Sequence, residues 1–360
     1  MKPAEVFFSP VEGAEPEASI LRKIAKVFDA AGLDKTFSTG GLVAVKVTFG
    51  ERGQKTHLGP GYAKTVVDAI KSGKGKPFVV DTNTLYVGSR SNAVDHLQLA
   101  HDHGFSTEYL GAPVLIGDGL RGESVFIAET GSRLCKQAML CGVARATDSI
   151  IAISHMTGHL GTGFACAIKN IGMGFAARGG KLAQHSGFLP QVAKSKCRKC
   201  GECAAWCPAD AISCGPDGAS LANIDESRCI GCGECLAVCP HHAIKIAWDE
   251  STANLQKKMA EYCKAVVAPK AGRVGFINVL VRITKDCDCM AGPEKPIVPD
   301  IGVLASTDCV AVDKASVDLI IERAKRDVFK EAWPDIDHTV QLKYAAEIGL
   351  GRINYRLVTL

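Results

Sequence analysis

The 360-residue sequence lacks the features that mark several large protein classes. It has no run of about 18 or more apolar residues, so we do not expect a membrane-spanning helix. The N-terminus has no apolar segment followed by a small-residue cleavage site, and we therefore expect a cytoplasmic protein. No tract of Lys and Arg is interleaved with aromatic residues, which argues against nucleic acid as a partner.

Two phosphate-binding signatures are also missing. The chain contains neither G-x-G-x-x-G nor a Walker loop, so the sequence indicates neither a dinucleotide nor ATP. Its net charge of +4, with 47% hydrophobic and 22% charged residues, is ordinary for a globular protein. The length predicts about two or three domains.

The sequence is rich in cysteine, with 16 residues. Two runs, "CRKCGECAAWCP" (197–208) and "CIGCGECLAVCP" (229–240), share the spacing C-x2-C-x2-C-x3-C-P. Such spacing binds a 4Fe-4S cluster. Zinc sites usually group their cysteines in two separated pairs, and disulfide frameworks belong to short secreted chains. The pattern therefore favours iron-sulfur clusters over both alternatives.

Residues 194–248 resemble a bacterial-type ferredoxin domain that holds two 4Fe-4S clusters. In that family the fourth cysteine of each run binds the other cluster. The resemblance implies that cluster I is held by Cys197, Cys200, Cys203 and Cys239, and cluster II by Cys229, Cys232, Cys235 and Cys207. Cys214 lies outside both repeats, and we expect it to be a small buried residue rather than a ligand.

A basic run precedes and enters the first cysteine motif. It consists of Lys194, Lys196, Arg198 and Lys199. Positive charge stabilises the reduced, more negative cluster, so the run is expected to raise the potential of one cluster or to attract an acidic donor protein. The alternative interpretation is a solvated surface without a redox role.

The rest of the chain alternates predicted strands and helices. Apolar strands are expected at 41–49, 76–83, 112–119, 149–156, 273–281 and 300–307. Helices are expected at 62–71, 91–104, 132–147, 252–266 and 313–325. This alternation predicts an α/β host domain (1–193 plus 249–360) with a mainly parallel sheet and helices on both faces. The α+β ferredoxin-like unit at 194–248 is then an insertion.

Polar, glycine-rich segments follow two of the predicted strands, where open α/β sheets bind ligands. Segment 50–62 contains Lys55 and His57, with Lys46 inside the preceding strand. Segment 155–185 is denser and holds His155, His159, Lys169, Asn170, Arg178, Lys181 and His185. Glycine amides with Lys169 or Arg178 suit a small anionic ligand. We predict that His155, His159, Lys169, Asn170 and His185 line one cavity; the alternative is a packed glycine turn with solvated cations.

Two further cysteines, Cys287 and Cys289, lie in the polar segment "KDCDCMAGPEKP" at 285–296. In extended backbone, residues i and i+2 project to the same side, which would aim both thiols at one point. Three interpretations follow: an open metal site completed by a histidine, water or substrate, a redox dithiol, or two unreactive cysteines. The remaining cysteines outside the ferredoxin-like unit have apolar or helical surroundings and are read as packing residues.

Several segments together resemble the DUF362 family of iron-sulfur proteins. They are "GHLGTGFACAIKNIGMG", "GGKLAQH", "CDCM" at 287–290 and "DIGVLASTDCVAVDKASVDL" at 300–319. The resemblance covers most of the chain and implies an α/β host interrupted by a ferredoxin unit. It also marks His159, Lys169, Asn170, His185, Cys287 and Cys289 as candidate site residues, without implying a reaction.

The sequence leaves two functions open. In the first, the clusters exchange electrons between a donor or acceptor protein and a site on the host, which could also hold a metal or a small molecule. In the second, the whole chain is a large ferredoxin that carries electrons to a separate enzyme. A carrier has no need of histidines and lysine beside a spare cysteine pair, so the sequence favours an electron-transfer protein with its own site.

Overall fold

The computed structural model describes residues 2–187, 189–214, 219–290 and 295–360. Its strands are β1 (Ala4–Pro10), β2 (Leu42–Lys46), β3 (Lys76–Asp81), β4 (Val114–Ile116), β5 (Val125–Glu129), β6 (Gln137–Cys141), β7 (Ser149–His155), β8 (Thr157–His159), β9 (Gly163–Ala165), β10 (Gln191–Val192), β11 (Ile212–Ser213), β12 (Asn223–Ile224), β13 (Ile244–Lys245), β14 (Val274–Leu280), β15 (Gly302–Ser306) and β16 (Tyr355–Thr359).

The helices are α1 (Glu17–Ala30), α2 (Pro60–Ser72), α3 (Ala93–Asp102), α4 (Thr107–Leu110), α5 (Gly142–Ala146), α6 (Ala167–Gly172), α7 (Arg178–His185), α8 (Glu202–Ala205), α9 (Glu234–Val238), α10 (Thr252–Val267), α11 (Cys309–Ala324), α12 (Val328–Ala332) and α13 (Val340–Glu347). Within the described residues, no helix has both the length and the apolar character needed to cross a membrane.

An eight-stranded sheet forms the centre of the host, in the order β16-β1-β15-β14-β7-β2-β3-β4. Strand β15 runs antiparallel to both of its neighbours, and the other pairings are parallel. The predicted mainly parallel α/β sheet is therefore confirmed. Between β7 and β2 the chain order reverses, since β2, β3 and β4 extend one way and β7 and β14 the other.

Apolar residues cover both faces of this sheet. In β7, Ile150 and Ala152 face one core, which includes residues of α6, α10 and α11, whereas Ile151 and Ile153 face a second core with residues of α1 and α2. All residues of β14 are buried. A strand covered on both faces reads as a continuous apolar run, which explains why β7 and β14 were recognisable in the sequence.

The predicted helices at 62–71, 91–104, 252–266 and 313–325 correspond to α2, α3, α10 and α11. Helix α3 begins after Asn92, whose side chain accepts a hydrogen bond from the Asp95 amide. Helix α11 begins four residues earlier than expected, because the Asp308 carboxylate accepts from the amides of Val310 and Ala311. Side-chain caps of this kind set where a helix starts.

The prediction of a helix at 132–147 is wrong. Strand β6 occupies the middle of that segment and pairs antiparallel with β5 over Val125–Glu129, and only Gly142–Ala146 is helical. The Ala, Leu and Met residues favour a helix locally, but pairing with a partner strand overrides this preference. The glycine-rich segment 155–185 forms β8, β9, α6 and α7.

The cysteine unit (residues 191–245) is built from two equivalent halves. Strand β10, helix α8 and strand β11 form the first half, and β12, α9 and β13 form the second, each element 32 residues after its counterpart (191 and 223, 202 and 234). The halves interlock, because β10 pairs with β13 and β11 pairs with β12. The host sheet takes strands from both sides of this unit.

Candidate functional site

A cavity of about 560 Å³ lies at the carboxyl ends of β2, β3 and β7. This is the edge at which the chain order of the sheet reverses, a position where α/β sheets bind ligands. All five side chains predicted to share a cavity line it: His155, His159, Lys169, Asn170 and His185. Cys287 and Cys289 line it too. The structure therefore brings both predicted groups together, while their chemical roles stay predictions.

A buried group of charges forms part of the cavity wall. The Lys46 ammonium lies 2.9 Å from one Asp81 oxygen, and the Arg90 guanidinium lies 2.7 Å from the other. Burial alone would raise the pKa of Asp81, but the two cations hold it well below its usual range. One carboxylate thus balances two cations, which leaves an excess of positive charge.

Asn170 fixes this group to the sheet. Its side-chain oxygen accepts from the Lys46 ammonium at 2.9 Å. Its amide donates to the Ile153 carbonyl and to the Ser154 hydroxyl, both at 3.0 Å. Every polar atom of Asn170 therefore has a protein partner, so Asn170 positions Lys46 and the end of β7.

Lys181, on α7, is a second buried cation. Its ammonium donates to the Thr82 hydroxyl at 2.8 Å and to the Ala176 carbonyl. Burial lowers its pKa to about 8. Neither of these two partners carries charge, and the nearby Asp118 carboxyl offsets part of the charge of Lys181 without forming an ion pair.

His155 orients the cysteine pair through Asp288. Its Nδ1 lies 2.9 Å from an Asp288 oxygen, and its Nε2 lies 2.8 Å from the Val281 carbonyl. Both partners are acceptors, so the ring links the Asp288 carboxylate to the backbone just after β14. Because Asp288 sits between the two cysteines, anchoring it directs the neighbouring thiols to the opposite side.

The sulfurs of Cys287 and Cys289 are joined in a disulfide. Cys287 is buried and Cys289 is half-buried, so Cys289 is the more accessible sulfur. The Lys169 ammonium lies 3.8 Å from the Cys287 sulfur. Burial and the nearby Arg90 lower the pKa of Lys169 to about 8. The cysteine pair thus has a cation beside its inner sulfur. Residues 291–294 of the predicted segment lie outside the described residues.

His159 stands beside the same pair. Its ring nitrogen and the two cysteine sulfurs lie within 4.8 Å of one another, a group that could hold a metal ion. The Gly161 amide donates to Nδ1 at 3.1 Å, and an amide can only donate. Burial, followed by Lys169, holds the pKa of His159 well below its usual range, so the ring is neutral and carries its proton on Nε2. A metal would need a free lone pair on the ring, and in this state Nδ1 accepts from the Gly161 amide while Nε2 carries the proton.

His185 and Trp248 contribute the wall nearest to the cysteine unit. Their rings are 4.9 Å apart in an edge-to-face arrangement, and both line the cavity. Burial, followed by Lys169 and Lys181, lowers the pKa of His185 to about 4. His185 therefore presents a neutral ring at neutral pH.

Three residues of the glycine-rich segments do not line the cavity: Lys55, His57 and Arg178. Lys55 is exposed, and His57 stacks on His103 with ring centroids 4.4 Å apart. The Arg178 guanidinium donates to the carbonyls of Arg121, Thr84 and Ser91, so it ties loops together instead of meeting a ligand.

Asp81 and Arg90 are site residues that sequence reasoning missed. Asp81 ends the apolar strand "KPFVVD", and a charged residue at the end of a buried strand was a usable signal. Arg90 lies in a loop and contacts Asp81 across nine positions of the chain. No local pattern identifies such a partner, because the contact depends on how the loop folds back.

The eight predicted cluster ligands line two small cavities in the cysteine unit. Cys197, Cys200, Cys203 and Cys239 line the first, and Cys207, Cys229, Cys232 and Cys235 line the second. Each cavity thus receives three cysteines from one half and one from the other. Burial, followed by the Cys232 and Cys229 thiols, raises the pKa of Cys235.

Cys214 occupies an unexpected place. It lines the first cavity and lies beside Cys203. Burial, followed by this neighbour, raises the pKa of Cys203 to about 12. The equivalent position in the second half is Ile246, so only the first half has a fifth thiol. That Cys214 is not a cluster ligand stays a prediction.

The second half of the cysteine unit packs against α7. A Cβ atom added to Gly179 would lie 2.9 Å from the Gly231 carbonyl oxygen and 3.0 Å from the Cys232 Cα. A Cβ on Gly180 would meet the Met139 carbonyl oxygen at 2.2 Å. Two glycines weaken a short helix, so their presence here fits the need for close approach. One face of α7 thus meets the second cysteine motif, and Lys181 and His185 of the same helix line the large cavity.

Comparisons with known proteins give one family and two partial structural likenesses. A family model described as "Domain of unknown function (DUF362)" matches residues 43–318. No curated protein matches the sequence. The lactate racemase apoprotein from Thermoanaerobacterium thermosaccharolyticum is 12% identical with a TM-score of 0.38, covering 76% of this chain and 50% of that one.

A structural-genomics structure of a protein from Thermotoga maritima is 10% identical with a TM-score of 0.43, covering 88% of this chain and 61% of that one. The chain therefore spans one half and about three-fifths of the two structures it resembles.

Proposed function

Because this chain belongs to the DUF362 family, which is described by its unknown function, we propose a function from the site: an iron-sulfur electron-transfer protein with a redox-active cysteine pair in its host cavity. The observation that carries the proposal is how ten cysteines are distributed over three cavities, which Cys166 and Cys214 also line. Eight line two small cavities in the crossed sets expected of two 4Fe-4S clusters, and Cys287 and Cys289 line the large one.

The arrangement of the eight cysteines fits clusters better than zinc. In a tetrahedral zinc site, Zn–S bonds of about 2.3 Å place the sulfurs about 3.8 Å apart. Among the described residues, only His159, Cys287 and Cys289 bring their ligand atoms within 4.8 Å of one another as a group of three or more. The two cysteine sets are therefore more widely spaced than one ion requires. When bound, two such clusters supply electrons one at a time.

The cysteine pair in the cavity can store two electrons. Reduction breaks the bond between the sulfurs, adds two electrons and takes up two protons to give two thiols. Lys169 is placed to stabilise the Cys287 thiolate and to donate a proton to it. A ring nitrogen of His159 lies within 4.8 Å of both sulfurs. The neutral ring can only donate a hydrogen bond from Nε2, so the second proton comes from water. These contacts support a dithiol over the metal interpretation, since His159 would have to change tautomer to bind a metal.

Anaerobic analysis is the first test. We expect about eight iron atoms and eight acid-labile sulfides per chain, as two 4Fe-4S clusters require. A reductive titration should then take up about four electrons, one for each cluster and two for the disulfide. The variant Cys287→Ser, Cys289→Ser should keep the iron and take up about two electrons.

The matched control is Cys263→Ala, Cys309→Ala. These buried cysteines contact each other outside the cavity, and their loss should leave the uptake at about four electrons. A wild-type uptake of about two electrons with full iron content would contradict the redox pair and favour the large ferredoxin. Zinc in place of iron would overturn the whole proposal.

A further inference from the structure

The walls of the large cavity differ in character with depth. The charged side chains are deeply buried: Lys46 is 0% exposed, Asp81 2%, Arg90 5% and Lys181 6%. Three large apolar side chains on the same cavity are exposed: Leu160 at 49%, Trp248 at 56% and Met290 at 42%. Exposed residues that line a cavity lie at its opening, so the mouth is apolar and the floor is charged.

The floor carries more positive than negative charge. Lys46 and Arg90 share Asp81, while Asp288 is matched by His155 and Glu250 by Lys258. Lys169 and Lys181 form no ion pair among the described residues, because Lys169 donates to the Cys287 sulfur and Lys181 to a hydroxyl and a carbonyl. Nearby Asp288 and Asp118 offset only part of their charge. Buried charge is costly unless an opposite charge meets it, so this floor favours an anion.

The exposed apolar side chains at the cavity mouth favour contact with an apolar group of a ligand. Exposed large apolar side chains grouped around an opening commonly mark a binding surface. Trp248 also stacks edge-on against His185, which holds its ring at the cavity wall. A simple inorganic anion would leave this apolar rim in water and would gain nothing from it.

We infer that the cavity binds an organic anion whose charged head enters first, toward Lys169 and Lys181, and whose apolar body stays between Leu160, Trp248 and Met290. The head is a carboxylate, phosphate or sulfonate group. If the proposed function is right, this ligand is the partner of the Cys287–Cys289 pair. The inference adds to that function the class of molecule the site receives.

The test uses two fluorescent probes that share an aromatic body. 1-Anilinonaphthalene-8-sulfonate carries an anionic head, and N-phenyl-1-naphthylamine lacks it. We expect the anionic probe to bind at least about tenfold more tightly to the oxidised protein, since a hydrogen bond to a charged group is worth about that much. Equal affinity for the two probes would overturn the inference.

Substitutions assign the two ends of the ligand. Lys169→Met and Lys181→Met should each weaken the anionic probe about tenfold and leave the neutral probe unchanged. The control Lys76→Met removes an exposed lysine at the amino end of β3, the opposite edge of the sheet, and should change neither. Two lysine variants keep the test valid if one does not fold. Unchanged binding of the anionic probe in both would contradict the inference.

The mouth is tested separately. Trp248→Ala should weaken both probes, whereas Trp206→Ala, which removes a similarly exposed tryptophan outside the cavity, should weaken neither. Equal effects of the two tryptophan variants would overturn the apolar mouth. Probe binding requires no electron transfer. It can therefore also be measured in the variant Cys287→Ser, Cys289→Ser, which lacks the redox pair. Retained binding there, together with lost electron uptake, supports the ligand class and the redox pair independently.

Discussion

The two halves of the cysteine unit carry the same ligand spacing in different surroundings. In the first half, the basic run and Cys200 are exposed. In the second half, the equivalent loop lies against α7 of the host, and Cys232 is half-buried. The first cysteine motif therefore faces mainly the solvent, although Trp206 lies 4.9 Å from the Arg121 guanidinium of the host, and the second motif faces the host.

The residues between the cysteines follow this difference. Lys199 and Gly231 are equivalent in the repeat, and both have a positive φ, of 59° and 67°. The solvent-facing half places a cation there, whereas the host-facing half places a glycine whose carbonyl approaches α7. Cysteine spacing thus specifies what each half can hold, while the intervening residues specify what it contacts.

Removal of a cysteine should cause the largest difference between the two halves, measured as loss of iron. Cys235→Ala should lose about half of the iron, because the second cavity has no spare thiol. Cys203→Ala should lose less iron or give an altered cluster, since Cys214 lies beside it. Iron analysis and electron paramagnetic resonance distinguish these results.

The same measurement tests Cys214. Cys214→Ala should keep both clusters, and the double change Cys203→Ala, Cys214→Ala should match Cys235→Ala in iron loss. If Cys214→Ala alone loses a cluster, Cys214 is a ligand and the ligand set from the ferredoxin resemblance is wrong for the first half.

A matched pair of glycines provides the second test. Gly201 and Gly233 are equivalent, with φ of 78° and 77°, so alanine carries the same backbone penalty of about 1–2 kcal/mol at each. A Cβ at 201 meets nothing within 4 Å, whereas one at 233 lies 3.2 Å from Arg178 Cγ. Arg178 is held by three carbonyls and cannot move away easily.

We therefore expect Gly233→Ala to lower the free energy of unfolding by about 1 kcal/mol more than Gly201→Ala, as overpacking does. It should also speed the removal of iron by a chelator from the second half. Urea unfolding and chelation rates measure these effects. Equal values for the two variants would show that the second half does not depend on its contact with the host.

The sequence predicted what depends on local spacing. Cysteines three positions apart converge because the short loop between them bends back, and this needs no information from elsewhere in the chain. Buried strands such as β7 and β14 were recognisable for the same reason, since their apolar runs are continuous. The five predicted cavity residues also lie together, although only His155 ends a strand of the large sheet. The other four belong to β8, α6 and α7, which border the same cavity.

Contacts between distant segments were not predictable in this way. The helix expected at 132–147 is strand β6, which needs β5 as its partner. Arg90 joins the site only because its loop returns to Asp81. The tautomer of His159 depends on the Gly161 amide, which no pattern of residue types reveals. Each case requires knowledge of which segment meets which.

A fall in pH should lower the free energy of unfolding of the host through two of its histidines, with a smaller effect than the substitutions above. Burial lowers the pKa of His185 to about 4 and of His96 to about 3, against 6.5 for a free ring. Their folded pKa values lie below the unfolded value, so their stabilisation is present above about pH 6.5 and is lost as the pH falls toward 4. Each ring should cost about 1 kcal/mol between pH 7.5 and 5.5.

Urea unfolding at the two pH values measures this loss. His185→Gln should reduce the difference between pH 7.5 and 5.5. The control His241→Gln, an exposed ring in the cysteine unit, should leave it unchanged. Stability that is flat over this range, or equal effects of the two variants, would contradict the assignment of buried neutral rings to the host.

Charge reversal in the basic run should have the smallest effect. Lys196→Glu, Lys199→Glu places negative charge beside the first cysteine motif, which disfavours the reduced cluster and should lower its potential by a few tens of millivolts at low salt. The side chains are exposed, so the shift should shrink at about 0.5 M salt, where screening shortens the range of the field. The same change should slow reduction by an acidic donor protein.

The equivalent position in the second half supplies the control. Arg228 matches Lys196 in the repeat and is also exposed, so Arg228→Glu should act mainly on the other cluster. Redox titration followed by electron paramagnetic resonance assigns each shift to a cluster. If both variants shift the same cluster, the two halves are not independent in charge; if neither shifts a potential nor changes the reduction rate, the basic run is a solvated surface. Only the second result would remove the redox role of the basic run, whereas the first would contradict the separate action of the two halves.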